Sequence, residues 1–251
     1  MFGKGYIYVI IKGFFKLMLL TVILLVVGIF LWRFATSAPP DELMVISPNE
    51  RLAEAYADGE LQLVTQEQNT ITRTEANYGY FSVADVVFIP EAEQLQILVK
   101  YNDSTLKALK TDYPDDFGHL GKKEYPDSSA DWYDVSVVLA RDITPDNKED
   151  NLGSDKGAVE LVRIKPTEVT ESVHVGRYSY RRMVFDGVSL DSLTLAVYAD
   201  FFYVGDLAYE REDFDIYTDR AYGTLCLYAY ADKTLDVELS ESDIEAIKSY
   251  K

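Results

Sequence analysis

Two hydrophobic rhythms divide this chain. Leu17 to Trp32 (LMLLTVILLVVGIFLW) is an unbroken run without charge, and beyond about residue 60 the apolar positions recur every second residue. The first pattern predicts a helix in lipid. The second predicts strands with one face on a core.

A helix over Leu17 to Phe34 would rise roughly 27 Å, close to the ~30 Å hydrocarbon core of a bilayer. Lys16 can bring its ammonium up to the headgroups. Phe14 and Phe15 stand at one end, Trp32 and Phe34 at the other, the positions that interfacial aromatic rings take. Twelve of the residues from Leu17 to Trp32 are Leu, Ile, Val or Phe. Together they favour insertion by roughly 5 kcal/mol. A cleaved secretory signal fits less well, because its one cleavage site, Thr36-Ser37-Ala38, is followed by Pro39, which fixes the backbone and lacks an amide hydrogen. Lys4, Lys12 and Lys16 precede the run and Arg33 alone follows it closely, so the charge bias favours an N-terminus in the cytoplasm. Gly3, Gly5 and Gly13 predict a frayed start before the span.

Past the span, Ser37-Ala38-Pro39-Pro40-Asp41 reads as a stiff tether. A short helix is expected after Ser47, with Ser47 as cap, Pro48 in the first position and Glu50 closing a capping box; Asp58-Gly59 would end it. Alternation then takes over. Leu95, Ile97, Val99 and Tyr101 alternate with Gln94, Gln96, Leu98 and Lys100. Tyr133 to Ala140 and Leu193 to Asp200 behave alike. Leu61–Thr65, Tyr78–Ile89, Val159–Lys165, Tyr178–Phe185 and Thr224–Tyr230 are less regular strand candidates. Pro90-Glu91-Ala92-Glu93 and Asp186-Gly187 supply turns. Ser104–Lys110 and Ser240–Tyr250 read as short helices, the second capped by Ser240 with Asp243 three residues on.

This pattern predicts a mainly β chain: an immunoglobulin-like β-sandwich ectodomain with short helices, preceded by one N-terminal transmembrane helix. The expected divisions are 1–16 as a cytoplasmic or interfacial N-terminus, 17–34 as the transmembrane helix, 35–46 as the tether and 47–251 as the extracytoplasmic sandwich. The polar stretch Asp142–Gly157 is expected to be a long hairpin loop within one domain, since neither half alone would have much core.

Charge narrows the partners. Residues 1–40 carry four basic residues and no acid, which leaves 41–251 with a net charge of −22. Phosphate backbones repel such a surface, so nucleic-acid binding is not expected. Cys226 is the only cysteine, which excludes an intrachain disulfide and a cysteine-rich zinc site.

Little catalytic chemistry is visible. A Ser-His-acid triad must draw on His119 or His174, and no G-x-S-x-G elbow is present. Thr224-Leu225-Cys226 is similar to part of the sortase Thr-Leu-x-Thr-Cys segment, but no arginine follows Cys226 to steady an oxyanion. Asp142, Asp146, Asp150 and Asp155 share one loop without the order of a calcium hand, so no metal and no cofactor are expected. The best aromatic cluster is Asp131-Trp132-Tyr133-Asp134. Trp132 and Tyr133 are therefore the candidate binding residues, able to stack on a sugar or anchor a partner. Tyr209–Tyr217 mixes aromatics with acids in the same way.

Tyr180-Arg181-Arg182-Met183-Val184-Phe185-Asp186-Gly187-Val188 and Tyr222-Gly223-Thr224-Leu225-Cys226 resemble segments of uncharacterised single-pass membrane-anchored proteins of Gram-positive gut bacteria. The resemblance covers about a third of the chain and implies a location and a β-rich ectodomain, with no known activity. The expected function is a non-enzymatic, membrane-anchored extracytoplasmic module that binds an envelope protein or glycan. The alternatives are an envelope-glycan hydrolase using paired carboxylates and a membrane assembly or scaffold protein.

Overall fold

A computed structural model of the chain describes residues 4–35, 38–59, 61–66, 82–112, 114–117, 133–142, 159–176, 178–203, 221–230 and 234–250. The first element, α1 (Lys4–Ala35), is a continuous helix of 32 residues. Within it Ile11–Trp32, 22 residues, is long and apolar enough to cross a membrane, and none of it is buried against the rest of the protein. The helix begins well before Leu17, so the start is not frayed as the glycines predicted. A glycine costs a helix only about 1 kcal/mol, and the Tyr, Ile and Val residues between Gly5 and Gly13 favour an apolar surrounding in which the backbone must bond to itself. Thr21 fits the same rule, its hydroxyl donating to the Leu17 carbonyl at 2.9 Å.

After α2 (Asp41–Met44) and α3 (Glu50–Asp58) the chain becomes mainly β. The strands are β1 (Gln62–Gln66), β2 (Ser82–Ile89), β3 (Gln94–Asn102), β4 (Tyr133–Asp142), β5 (Val159–Ile164), β6 (Glu168–Val169), β7 (Val173–Val175), β8 (Tyr178–Asp186), β9 (Thr194–Tyr203), β10 (Ala221–Ala229) and β11 (Thr234–Glu238). A 3-10 turn, Pro90–Ala92, joins β2 to β3; α4 (Asp103–Asp112) and α5 (Pro114–Phe117) follow β3; α6 (Glu241–Ser249) follows β11. Two antiparallel sheets result. One runs β11-β1-β2-β3-β8-β6, with β7 also paired to β8, and the other runs β10-β9-β4-β5.

The sheets face one another across a common core. Phe88, Leu95, Ile97, Val99, Met183 and Phe185 come from the larger sheet, and Val135, Val137, Leu139, Val197, Ala199, Phe201, Leu225 and Leu227 from the smaller. Each fully buried aliphatic or aromatic side chain stabilises the fold by about 1.5–3 kcal/mol, so this layer is the main source of stability. Register explains the sorting. Leu95 lies opposite Phe185 and Ile97 opposite Met183 on the core side, whereas Gln94 lies opposite Asp186, Gln96 opposite Val184 and Leu98 opposite Arg182 on the other side.

That other side is covered as well. Ile46, Leu52 of α3, Leu61, Leu63, Ile89, Ala92 and Ile247 of α6 form a second core over it. The period-two pattern therefore separates one buried layer from another here, and Gln94 and Gln96 are fully buried.

Several expectations change in detail. Asn49, and not Ser47, caps α3: its Oδ1 accepts from the Leu52 amide at 2.9 Å. Ser47 is held instead through its backbone by Gln96. The cap on α6 is as expected, with Ser240 and Asp243 forming a reciprocal capping box. The short strands β6 and β11 are additional to the expected ones; two residues carry no pattern in β6, whereas in β11 Leu235 and Val237 do alternate with Thr234, Asp236 and Glu238. β4 and β5 pair antiparallel, Asp142 opposite Val159, so 143–158 connects two neighbouring strands. The turn after β8 uses Gly187 at φ 82°, a conformation that suits glycine.

Candidate functional site

A densely bonded polar group lies under the segment that leaves α1. A bulge between Val83 and Asp85 sets Asp85 opposite Leu98, and Leu98 is opposite Arg182, so Asp85, Leu98 and Arg182 form a row across the larger sheet on its helix-covered face. Arg182 is 2% exposed. Its Nη2 donates to the Leu43 carbonyl and approaches Asp85 Oδ2 at 3.4 Å, while Nη1 reaches Gln96 Oε1 at 3.5 Å. Burial pushes the Asp85 carboxyl above its ordinary range, against the pull of Arg182 and of the Val86 amide. Burial likewise lowers Arg182, against the attraction of Asp85 and Asp243.

Two further side chains tie the same segment down. Asp243, buried on α6, accepts from the Ile46 amide at 2.9 Å through Oδ1, and through Oδ2 from the Ser240 amide at 3.0 Å and the Ser240 hydroxyl at 2.6 Å. Gln96 reads both backbone groups of Ser47, accepting from its amide at 2.7 Å and donating to its carbonyl at 2.9 Å. The Gln96 Nε2 also donates to Gln94 Oε1 at 2.8 Å, and Gln94 donates to Asp186 Oδ1 at 2.8 Å. A buried glutamine amide left without partners would be costly, and here both are satisfied.

Asp186 opens onto an adjoining cleft of about 510 Å³. Its walls are Asn49, Glu50, Arg51 and Glu54 at the start of α3, Glu168 and Asp186 on the sheet, and Tyr250 beyond α6. Glu168 is raised from the usual carboxylate range, first by burial and then by the negative charge of Asp186. Arg51 is turned toward Glu93, at 2.6 Å. The cleft is open and acidic, suited to a cationic or hydroxyl-rich group.

A Ser-His contact occurs elsewhere. The Ser179 hydroxyl lies 2.6 Å from His174 Nδ1 across β7 and β8. Ser179 is 1% exposed, and no carboxylate among the described residues orients the imidazole, so the pair lacks the access and the third member that nucleophilic catalysis needs. Cys226 is buried in β10 with its thiol on the Tyr228 carbonyl at 3.3 Å, as expected of a small core residue. Among the described residues no group of three His, Cys, Asp or Glu side chains is arranged to hold a metal.

Of the two residues singled out for binding, Trp132 lies outside the described residues. Tyr133 opens β4, its backbone opposite Tyr203 at the end of β9. His119, Tyr209–Tyr217 and Asp146–Asp155 also lie outside them. Sequence reasoning missed Arg182, Asp85 and Gln96. Arg182 falls in the strand pattern Tyr180–Phe185, whose polarity is that of an ordinary half-exposed strand; its burial follows only from the cover on the second face of the sheet, where any cation must be neutralised. No protein-family model, curated protein or solved structure matches the chain.

Proposed function

We propose that this chain is a single-pass signal-anchor protein of the cell membrane, with its N-terminus in the cytoplasm and residues 47–251 as an extracytoplasmic, non-enzymatic binding module. The observation that carries this reading is the Ile11–Trp32 helix, wholly unburied while the two-sheet region has its own complete core. The lysines before the span support the orientation. The strand order supports an immunoglobulin-like module: β2, β3, β8 and β6 follow the order A, B, E, D, and β10, β9, β4 and β5 follow G, F, C, C′. Leu95, Ile97 and Val99 with Val197, Ala199 and Phe201 fill the space that a disulfide bridges in antibody domains.

The partner in this reading is an envelope protein or glycan. Trp132 and Tyr133 are its contact residues, at the end of the smaller sheet where Tyr133 and Tyr203 lie opposite one another. The connection to β10 that carries Tyr209–Tyr217 leaves from that same end, which favours aromatic anchors in an acidic surround. Affinity purification of the anchored chain from membranes tests the reading. It expects an envelope component that is retained by the native chain and lost when Trp132 and Tyr133 are both changed to Ala. Equal retention by the double variant would overturn this site.

One observation favours a second reading, an envelope-glycan hydrolase. Glu168 is raised beside Asp186, which Gln94 holds by a hydrogen bond, in a cleft with Tyr250 on its wall. A carboxyl raised in this way suits the role of a general acid. Release of soluble sugar by the purified chain, abolished by Glu168→Gln, would replace the first reading with this one.

A further inference from the structure

The segment between the span and α3 is held by groups that lie far away in the chain. Leu43 is bonded by Arg182 of β8, Ser47 by Gln96 of β3 and Ile46 by Asp243 of α6. The first two holders stand on the central strands of the larger sheet. The third stands on a helix of nine residues whose buried side chains are Asp243 and Ile247. Helices that short are marginal alone, and β11 before it exposes all five of its residues. α6 therefore belongs to the low-stability end of the fold, while the sheet that it closes belongs to the high end.

Asp243 does two jobs with one carboxylate. Its Oδ2 completes the capping box that starts α6, and its Oδ1 takes the Ile46 amide. Folding of α6 and capture of the Ile46 amide are thus the same event. Ile247 adds to this, packing in the layer that contains Ile46 and Leu52.

We propose that α6 is a clasp: while it is folded Asp243 fastens the membrane-proximal segment to the sheet alongside Arg182 and Gln96, and when it is withdrawn the hold on Ile46 is lost, so that residues 41–49 can peel from the two remaining holders and the domain can stand further from the bilayer. This rests on the membrane-anchored reading above. With the segment fastened at Leu43, the chain from Ala35 reaches at most about 27 Å; released to Asn49, it reaches about 48 Å. A ligand that grips the exposed side of α6 or the edge of β11 would lengthen the tether, and a fastened tether would keep the domain close to the surface.

The test uses the full chain in lipid nanodiscs, with hydrogen exchange followed by mass spectrometry and energy transfer to labelled lipid from a thiol-reactive dye on β5, attached through the substitution Glu160→Cys in a Cys226→Ser background. Asp243→Asn keeps the size of the side chain and Asp243→Ala removes it; Glu245→Ala, on the same helix, is the control. The clasp predicts that both Asp243 variants exchange the Ile46 and Ser47 amides at least tenfold faster, with weaker energy transfer, while β3, β4, β8 and β9 stay protected and the control matches the native chain. Unchanged exchange at Ile46 in Asp243→Ala would overturn the proposal. So would faster exchange without a change in energy transfer, or loss of protection throughout both sheets. Extraction of the membranes with alkaline carbonate reads the anchor separately: a chain that washes off refutes the anchored reading, whatever the exchange at Ile46 shows.

Discussion

Arg182 concentrates the physics of the buried face in one residue. Taking a guanidinium out of water costs least where its hydrogen bonds are met; Leu43, Gln96 and Asp85 engage its two terminal nitrogens, while Nε is buried without a partner. Arg182→Met keeps the bulk and removes the charge. It strands the Leu43 carbonyl and leaves Asp85 without a cation, and is expected to destabilise the chain by about 3 kcal/mol. Asp85→Asn should cost less, about 1 kcal/mol, because burial already pushes that carboxyl toward its neutral form. Denaturant titration of the detergent-solubilised chain, followed by circular dichroism, checks the order. A larger loss for Asp85→Asn than for Arg182→Met would show that the network is organised around the acid. Arg182 was hard to read from sequence because Tyr180–Phe185 has the polarity of an ordinary strand, and nothing local announces that a segment some 140 residues earlier will cover it.

At the level of elements, the strands were legible wherever one face meets the core. β3, β4 and β9 lie close to where alternation set them, because an aliphatic residue at every second position has one place to go. The same rule misjudged the reverse face of β3. Gln94 and Gln96 read as solvent-facing, yet α3, α6 and the segment around Ile46 cover them, and only a network of side chains and backbone makes that burial possible. The candidate cleft was illegible for a related reason: Glu54, Glu168, Asp186 and Tyr250 come from four separate parts of the chain. Leu52, fully buried, fixes α3 over the sheet. Leu52→Ala should cost about 3 kcal/mol and accelerate exchange in Glu50–Asp58 more than in β4 or β9. Equal acceleration in both sheets would mean that α3 is integral to the main core and does not form a separate cover.

For the whole molecule, charge dominates. Residues 41–251 carry a net charge of −22, and self-repulsion opposes their compact state. Asp85 and Glu168 both have raised carboxyls in the folded chain. Between their ordinary and raised values the folded state holds more protons than the unfolded state, so stability from these groups increases as pH falls through that window and levels off below it. The exposed pairs Arg51–Glu93 and Arg141–Asp191 are too weakly coupled to reverse the trend. The melting temperature should rise as the pH is lowered from neutral toward the ordinary carboxylate range, and added salt at neutral pH should raise it too. A steady fall over that range would show that ionised carboxylates stabilise this fold. Sequence alone made the apolar run and the acidic remainder plain, and together they lead to the central claim of one span with the β region outside. The direct measurement is protease added to intact cells carrying a C-terminal epitope. The account predicts loss of the epitope while the membrane is whole, with a fragment containing Ile11–Trp32 left in the bilayer. An epitope cut only after the membrane is opened would contradict it.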